Sequence, residues 1–117
     1  MTVFLRNFVS CERVDEDVFY TLRNVRFRWP SPPSFVDFWM DILNPAEEPV
    51  TVQLRAYRGR QLAEYSEAEL IPVGLPALQV ALQLPTAHLE AKSYSIHAVV
   101  NGVSCGKLGL DFGARDA

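Results

Sequence analysis

The 117-residue sequence holds only two cysteines, two histidines and six glycines, and it has no apolar run near the ~18 residues of a membrane-crossing helix. Arg, Asp, Glu or Pro interrupts every hydrophobic stretch. The N-terminus, MTVFLRNFVSCERVDED, does not join a basic start to a long uncharged stretch, and Arg6 falls where a signal peptide is most apolar. The sequence therefore predicts a cytoplasmic protein with no membrane partner, in which Cys11 and Cys105 stay free thiols and pack as small hydrophobes.

A basic excess is missing as well. Eleven Lys and Arg stand against 14 Asp and Glu, a formal net charge of -3, whereas a general electrostatic grip on nucleic acid needs a basic face. Two cysteines far apart match no zinc spacing. The acids Glu12, Asp15, Glu16 and Asp17 lack the Asp-x-Asp-x-Asp-Gly order that wraps calcium. Neither His88 nor His97 lies in a glycine-rich nucleophile turn, so a thiol–imidazole pair has no motif behind it. The expectation is a non-enzymatic chain with no catalytic, cofactor-binding or metal-binding residue.

Helical periodicity is the last absence, since no 3.6-residue apolar pattern persists across ten residues. Alternation with a period of two fills the chain instead. Thr2 to Val9 reads as a strand, Cys11–Asp17 as a turn, and Val18 to Arg28 as a second strand with an irregularity at Arg23-Asn24. WPSPPS ends it, because proline donates nothing to a ladder. Phe35 to Leu43 buries Val36, Phe38, Met40 and Ile42 and reads as central. Val50 to Arg58 buries Val50, Val52, Leu54 and Ala56, and NPAEEP between these two runs predicts an antiparallel pair with a short loop. Gln61 to Ile71 reads as an exposed edge strand, with a helical turn in AEYSEAEL as the alternative. Leu78, Val80, Leu82 and Leu84 form a half-buried strand, and TAHLEAK is a connection. Tyr94, Ile96, Ala98 and Val100 face the core, and Asn101-Gly102 supplies the positive φ values of a type I′ turn. On the return, Val103 and Cys105 keep one parity and Leu108, Leu110 and Phe112 the other, which places a β-bulge at Gly106 in the left-handed conformation.

These elements predict an all-β chain, a single immunoglobulin-like antiparallel β-sandwich of about seven or eight strands over residues 1–117, with an eight-stranded barrel as the alternative. The first strand running into Cys11-Glu12, the acidic turn, YTLRNV, the Pro-rich link to FVDFWMDI and the SYSIHAVVNG hairpin resemble a family of small bacterial immunoglobulin-like β-sandwich proteins of unknown function. The likeness spans nearly the whole chain, with Asn24 and Lys92-Ser93 standing where that family carries glycine. It implies the sandwich and no particular activity.

Two groups remain as an interaction surface. In RNVRFRW, Arg23, Arg26 and Arg28 beside Phe27 and Trp29 have the charge-plus-stacking character of single-strand binders. An alternating Arg/apolar strand is also what a half-exposed sheet face looks like, with Tyr20, Leu22, Val25 and Phe27 packed inward. Trp39, Arg55 and Tyr57 fall on the outward parity of neighbouring strands and form an aromatic-and-arginine group of hot-spot type if exposed. The alternative places Trp39 in a core under a second sheet. The sequence thus reads as a protein-interaction or structural module, with a protein partner or self-association through a sheet face or edge strand. Single-stranded nucleic-acid or small-ligand binding through residues 23–29 is the alternative.

Overall fold

The computed structural model describes residues 3–17, 19–72 and 74–113. Its first five strands are β1 (Phe4–Glu16), β2 (Tyr20–Val25), β3 (Arg28–Trp29), β4 (Phe35–Leu43) and β5 (Val50–Arg58). The remainder are β6 (Gln61–Tyr65), β7 (Glu69–Ile71), β8 (Ala77–Pro85), β9 (Ser93–Val100) and β10 (Val103–Phe112). One sheet runs β2-β1-β4-β8, the other β3-β10-β9-β5-β6, with β7 on β5 beyond β6. All pairs are antiparallel except β3 with β10. The two sheets stack as a sandwich and do not close into a barrel.

Alternation explains why they stack. Val36, Phe38, Met40 and Ile42 of the first sheet share one core with Val52, Leu54, Ile96, Ala98 and Phe112 of the second. Each fully buried large aliphatic or aromatic side chain contributes about 1.5–3 kcal/mol relative to exposure, so these inward rows hold the layers together. The β9–β10 turn is as expected, with Asn101 and Gly102 at φ 51° and 80°. β4 is central, flanked by β1 and β8.

The expected β4–β5 hairpin is not formed. β4 belongs to the first sheet and β5 to the second, so residues 44–49 carry the chain between layers. Alternation fixes which face a strand buries, not which strand lies beside it. Buried Asn44 organises the crossing: its N–H donates to Pro76 C=O at 2.8 Å and its side-chain amide to Glu48 C=O at 2.7 Å.

The first hairpin also differs. β1 continues to Glu16 through the expected Cys11–Asp17 turn, because the acids there face arginines of β2 and beyond instead of solvent alone. Asp15 pairs with Arg13 and Arg23, and Glu12 with Arg26 at 3.0 Å. Val18 lies outside the described residues. The expected Val18–Arg28 strand is divided: β2 ends just after Asn24, at φ 53°, and β3 resumes in the other sheet. The expected Gln61–Ile71 edge strand is real but breaks at buried Ser66, whose hydroxyl accepts the Leu54 N–H at 2.8 Å. In β10 the extra residue is Cys105, between Ser104 and Gly106 in the pairing, and Gly106 does not adopt a positive φ. Gly106 instead lets Leu5 approach closely, since a Cβ there would overlap the Leu5 Cδ2 methyl unless that side chain turned aside.

Candidate interaction surfaces

Along one lateral side the two sheets do not seal. β1 pairs with β2 only from Cys11 onward, and β10 pairs with β3 only at Asp111 and Phe112. Residues 4–9 of β1 and 103–110 of β10 therefore each present a rim with no ladder partner among the described residues. Between the rims lies an apolar cleft of about 430 Å³, lined by Phe8, Val9, Leu108 and Gly109 and closed at one end by Val25, Arg26 and Phe27. Phe8 forms the floor, its ring 5.7 Å from that of Phe38.

The closing segment is held in place by backbone. Arg26 N–H donates to Ser10 C=O at 3.1 Å, Ser10 Oγ donates back to Arg26 C=O at 2.5 Å, and Asp111 N–H donates to Phe27 C=O at 2.8 Å. Stepping from sheet to sheet here breaks the alternation. Val25 and Phe27, expected to pack inward, are 57% and 60% exposed at the mouth of the cleft. Trp29, expected on a surface, is 6% exposed in the core against Phe112, with ring centroids 5.9 Å apart. It takes that place because β3 has already joined the second sheet.

The arginines of this segment are matched by carboxylates. Arg23 pairs with Asp15, Arg26 with Glu12 and Arg28 with Asp111 at 3.8 Å. Arg26 also lies 5.1 Å over the Trp29 ring and Arg28 5.7 Å over that of Phe27. Each guanidinium thus has a carboxylate beside it, while Arg23 and Arg28 remain more than half exposed.

The structure separates Trp39 from Arg55 and Tyr57. Trp39 is half-buried on the outer face of the first sheet, beside Asp41 on the same strand. On this face Asp37 accepts the Val14 N–H at 2.9 Å, and the Tyr20 hydroxyl reaches the Gln79 carbonyl at 3.1 Å. Asp41, 6% exposed, is held by Arg6 at 2.8 Å. Arg55 and Tyr57 occupy the outer face of the other sheet, so the three side chains form no common group; their strands were expected to be neighbours and are not. There Tyr57 meets the His97 ring edge-on at 4.7 Å, and Arg55 Nε donates to Gln53 at 2.9 Å.

Thiols and imidazoles are engaged elsewhere than with each other. Buried Cys11 donates to the carbonyls of Arg13 and Asp37, and burial, with Asp37 next, pushes its thiol up to about 11. Cys105 donates to Val103 C=O. His97 Nδ1 is 2.8 Å from Ser104 Oγ, and partial burial followed by Lys107 lowers its pKa from the usual 6.5. His88 lies 2.6 Å from Glu64. Among the described residues no three His, Cys, Asp or Glu side chains converge as metal ligands, and no helix is long and apolar enough to cross a membrane.

The cleft was not among the sites expected from sequence, which had singled out the arginines of residues 23–29. The available signal was weak: two apolar residues, Val25 and Phe27, share a parity on a segment that leaves its sheet. In comparisons with known proteins, no family model matches the chain and no curated protein is significantly similar to it.

Proposed function

We propose that this chain is a protein-interaction module that receives an extended, alternately apolar segment of a partner along its open lateral side. The observation that carries this reading is the coincidence of an apolar cleft with two strand rims that have no ladder partner among the described residues. An added strand satisfies both at once: its backbone pairs with β10 or β1, and every second side chain enters the cleft. A compact apolar ligand of about this volume would use the floor but leave the rims unsatisfied. A phosphate backbone would find Arg23, Arg26 and Arg28 already paired. A cytoplasmic setting accords with the two free thiols at Cys11 and Cys105.

The test is selection from a displayed library of extended peptides, followed by titration of a labelled winner. Binding is expected to be lost at least about tenfold, roughly 1.4 kcal/mol, in the double variant Val25→Ser, Phe27→Ser. These exposed residues contribute little to the fold, so its melting temperature should stay close to that of the parent. Equal binding by parent and double variant would overturn the proposal. So would a mixed-sequence oligonucleotide that binds at low salt and loses affinity on changing Arg23, Arg26 and Arg28 to Glu.

A further inference from the structure

Exposed strand edges in natural sheets are guarded by charge, proline, bulges or shortness. Among the described residues, the β2 edge carries Arg23 and left-handed Asn24, β3 has two residues, and the β6/β7 edge breaks at Ser66. The rims of β1 and β10 flank the cleft already assigned to a partner segment. β8 carries none of these guards on the strand itself, although Tyr20 reaches its Gln79 carbonyl and residues 66–70 lie beside Leu82 and Gln83. It is nine residues long, pairs with β4 throughout without a register shift, and contains no charged residue and no internal proline. Its side away from β4 has no ladder partner among the described residues.

The strand is also its own antiparallel complement. Turned about Ala81, ALQVALQLP sets Leu78 opposite Leu84, Val80 opposite Leu82 and Gln79 opposite Gln83. The leucines and valine lie on the core face, and the glutamines with Ala81 on the outer face. Directly opposed side chains are the unit that stabilises a strand pair. Here they match apolar to apolar and amide to amide, with no like charges opposed.

We infer that two copies of this chain join β8 to β8 in antiparallel fashion about Ala81, merging two four-stranded sheets into one of eight strands. The contact is isologous and closes at two copies. It lies on the lateral side opposite the apolar cleft and does not depend on it. The Tyr20 hydroxyl competes with the partner strand for the Gln79 carbonyl, and so limits the strength of the dimer.

Sedimentation equilibrium of the full chain over a wide concentration range tests this. A monomer–dimer equilibrium is expected, and Ala81→Lys or Ala81→Glu, each opposing its own charge on the two-fold axis, should raise the dissociation constant about tenfold or more. An equimolar mixture of the two variants should recover the dimer, and Tyr20→Phe should tighten it. Should the charged variants fail to fold, Ala81→Cys with Cys11→Ala and Cys105→Ser keeps the test open. Opposed residues of an antiparallel pair stand about 4.5–5.5 Å apart, within disulfide reach, so mild oxidation should yield a covalent dimer. A parent monomeric at every concentration, a dimer indifferent to Ala81→Lys, or no cross-linked dimer from Ala81→Cys would overturn the inference.

Discussion

Gly106 of β10 and Leu5 of β1 meet across the gap between the sheets so closely that a methyl group on the glycine would overlap Leu5 Cδ2. This contact draws the two rims together at one end of the open side. The Ser10–Arg26 hydrogen bonds hold the other end. The cleft is what remains between them, so its width is set by one missing side chain and one backbone crossing.

Alanine at two glycines separates a yielding neighbour from an unyielding one. At Gly106 the obstructing atom ends a flexible side chain, so Gly106→Ala should cost about 1 kcal/mol or less after Leu5 turns aside. At Gly74 the added Cβ would overlap the backbone carbonyl of Glu47, and Gly74→Ala should cost about 2–3 kcal/mol. Urea unfolding of both variants checks the order.

Arg6 should matter more than its exposure suggests. It holds Asp41, which is 6% exposed and whose Oδ1 is buried with no partner among the described residues. Arg6→Ala leaves that carboxylate buried without its cation, a costlier state than loss of an exposed pair. Its melting temperature should fall several times further than that of Arg58→Ala, which removes the exposed bridge to Glu90.

Cys11 gives the fold an alkaline limit. Its thiol is raised to about 11 in the folded chain, so the unfolded chain releases the proton first as pH rises. The stabilisation is complete below the ordinary thiol range and is lost between about pH 9 and 11. Cys11→Ala should flatten this part of the stability–pH curve. A thiol reagent at neutral pH should leave Cys11 unmodified until the chain is unfolded.

The inward rows were legible because burial imposes a strict period on β4, β5, β8 and β9, and Asn101-Gly102 marked its turn through backbone chemistry alone. Pairing was less legible. Nothing local in Val50–Arg58 says that β9, whose paired residues lie 38 to 48 positions on, is its neighbour, and the loop composition suggested β4 instead. Residues 11–17 read as a turn because the acids count as solvated until their arginines across the ribbon are known. The cleft left only the shared parity of Val25 and Phe27 as a signal, since Phe8 and Leu108 come from opposite ends of the chain and only the stacking order of the sheets brings them together.

Amide hydrogen exchange along Val103–Leu110, with and without a library-selected extended peptide, bears most directly on the open side as a receiving edge. In the free chain, amides pointing away from β9 should exchange quickly while those bonded to it stay protected. With peptide, the outward amides should slow, together with their counterparts in residues 4–9 if β1 is the strand extended. Protection confined to some other strand, or unchanged exchange in a saturated complex, would contradict it.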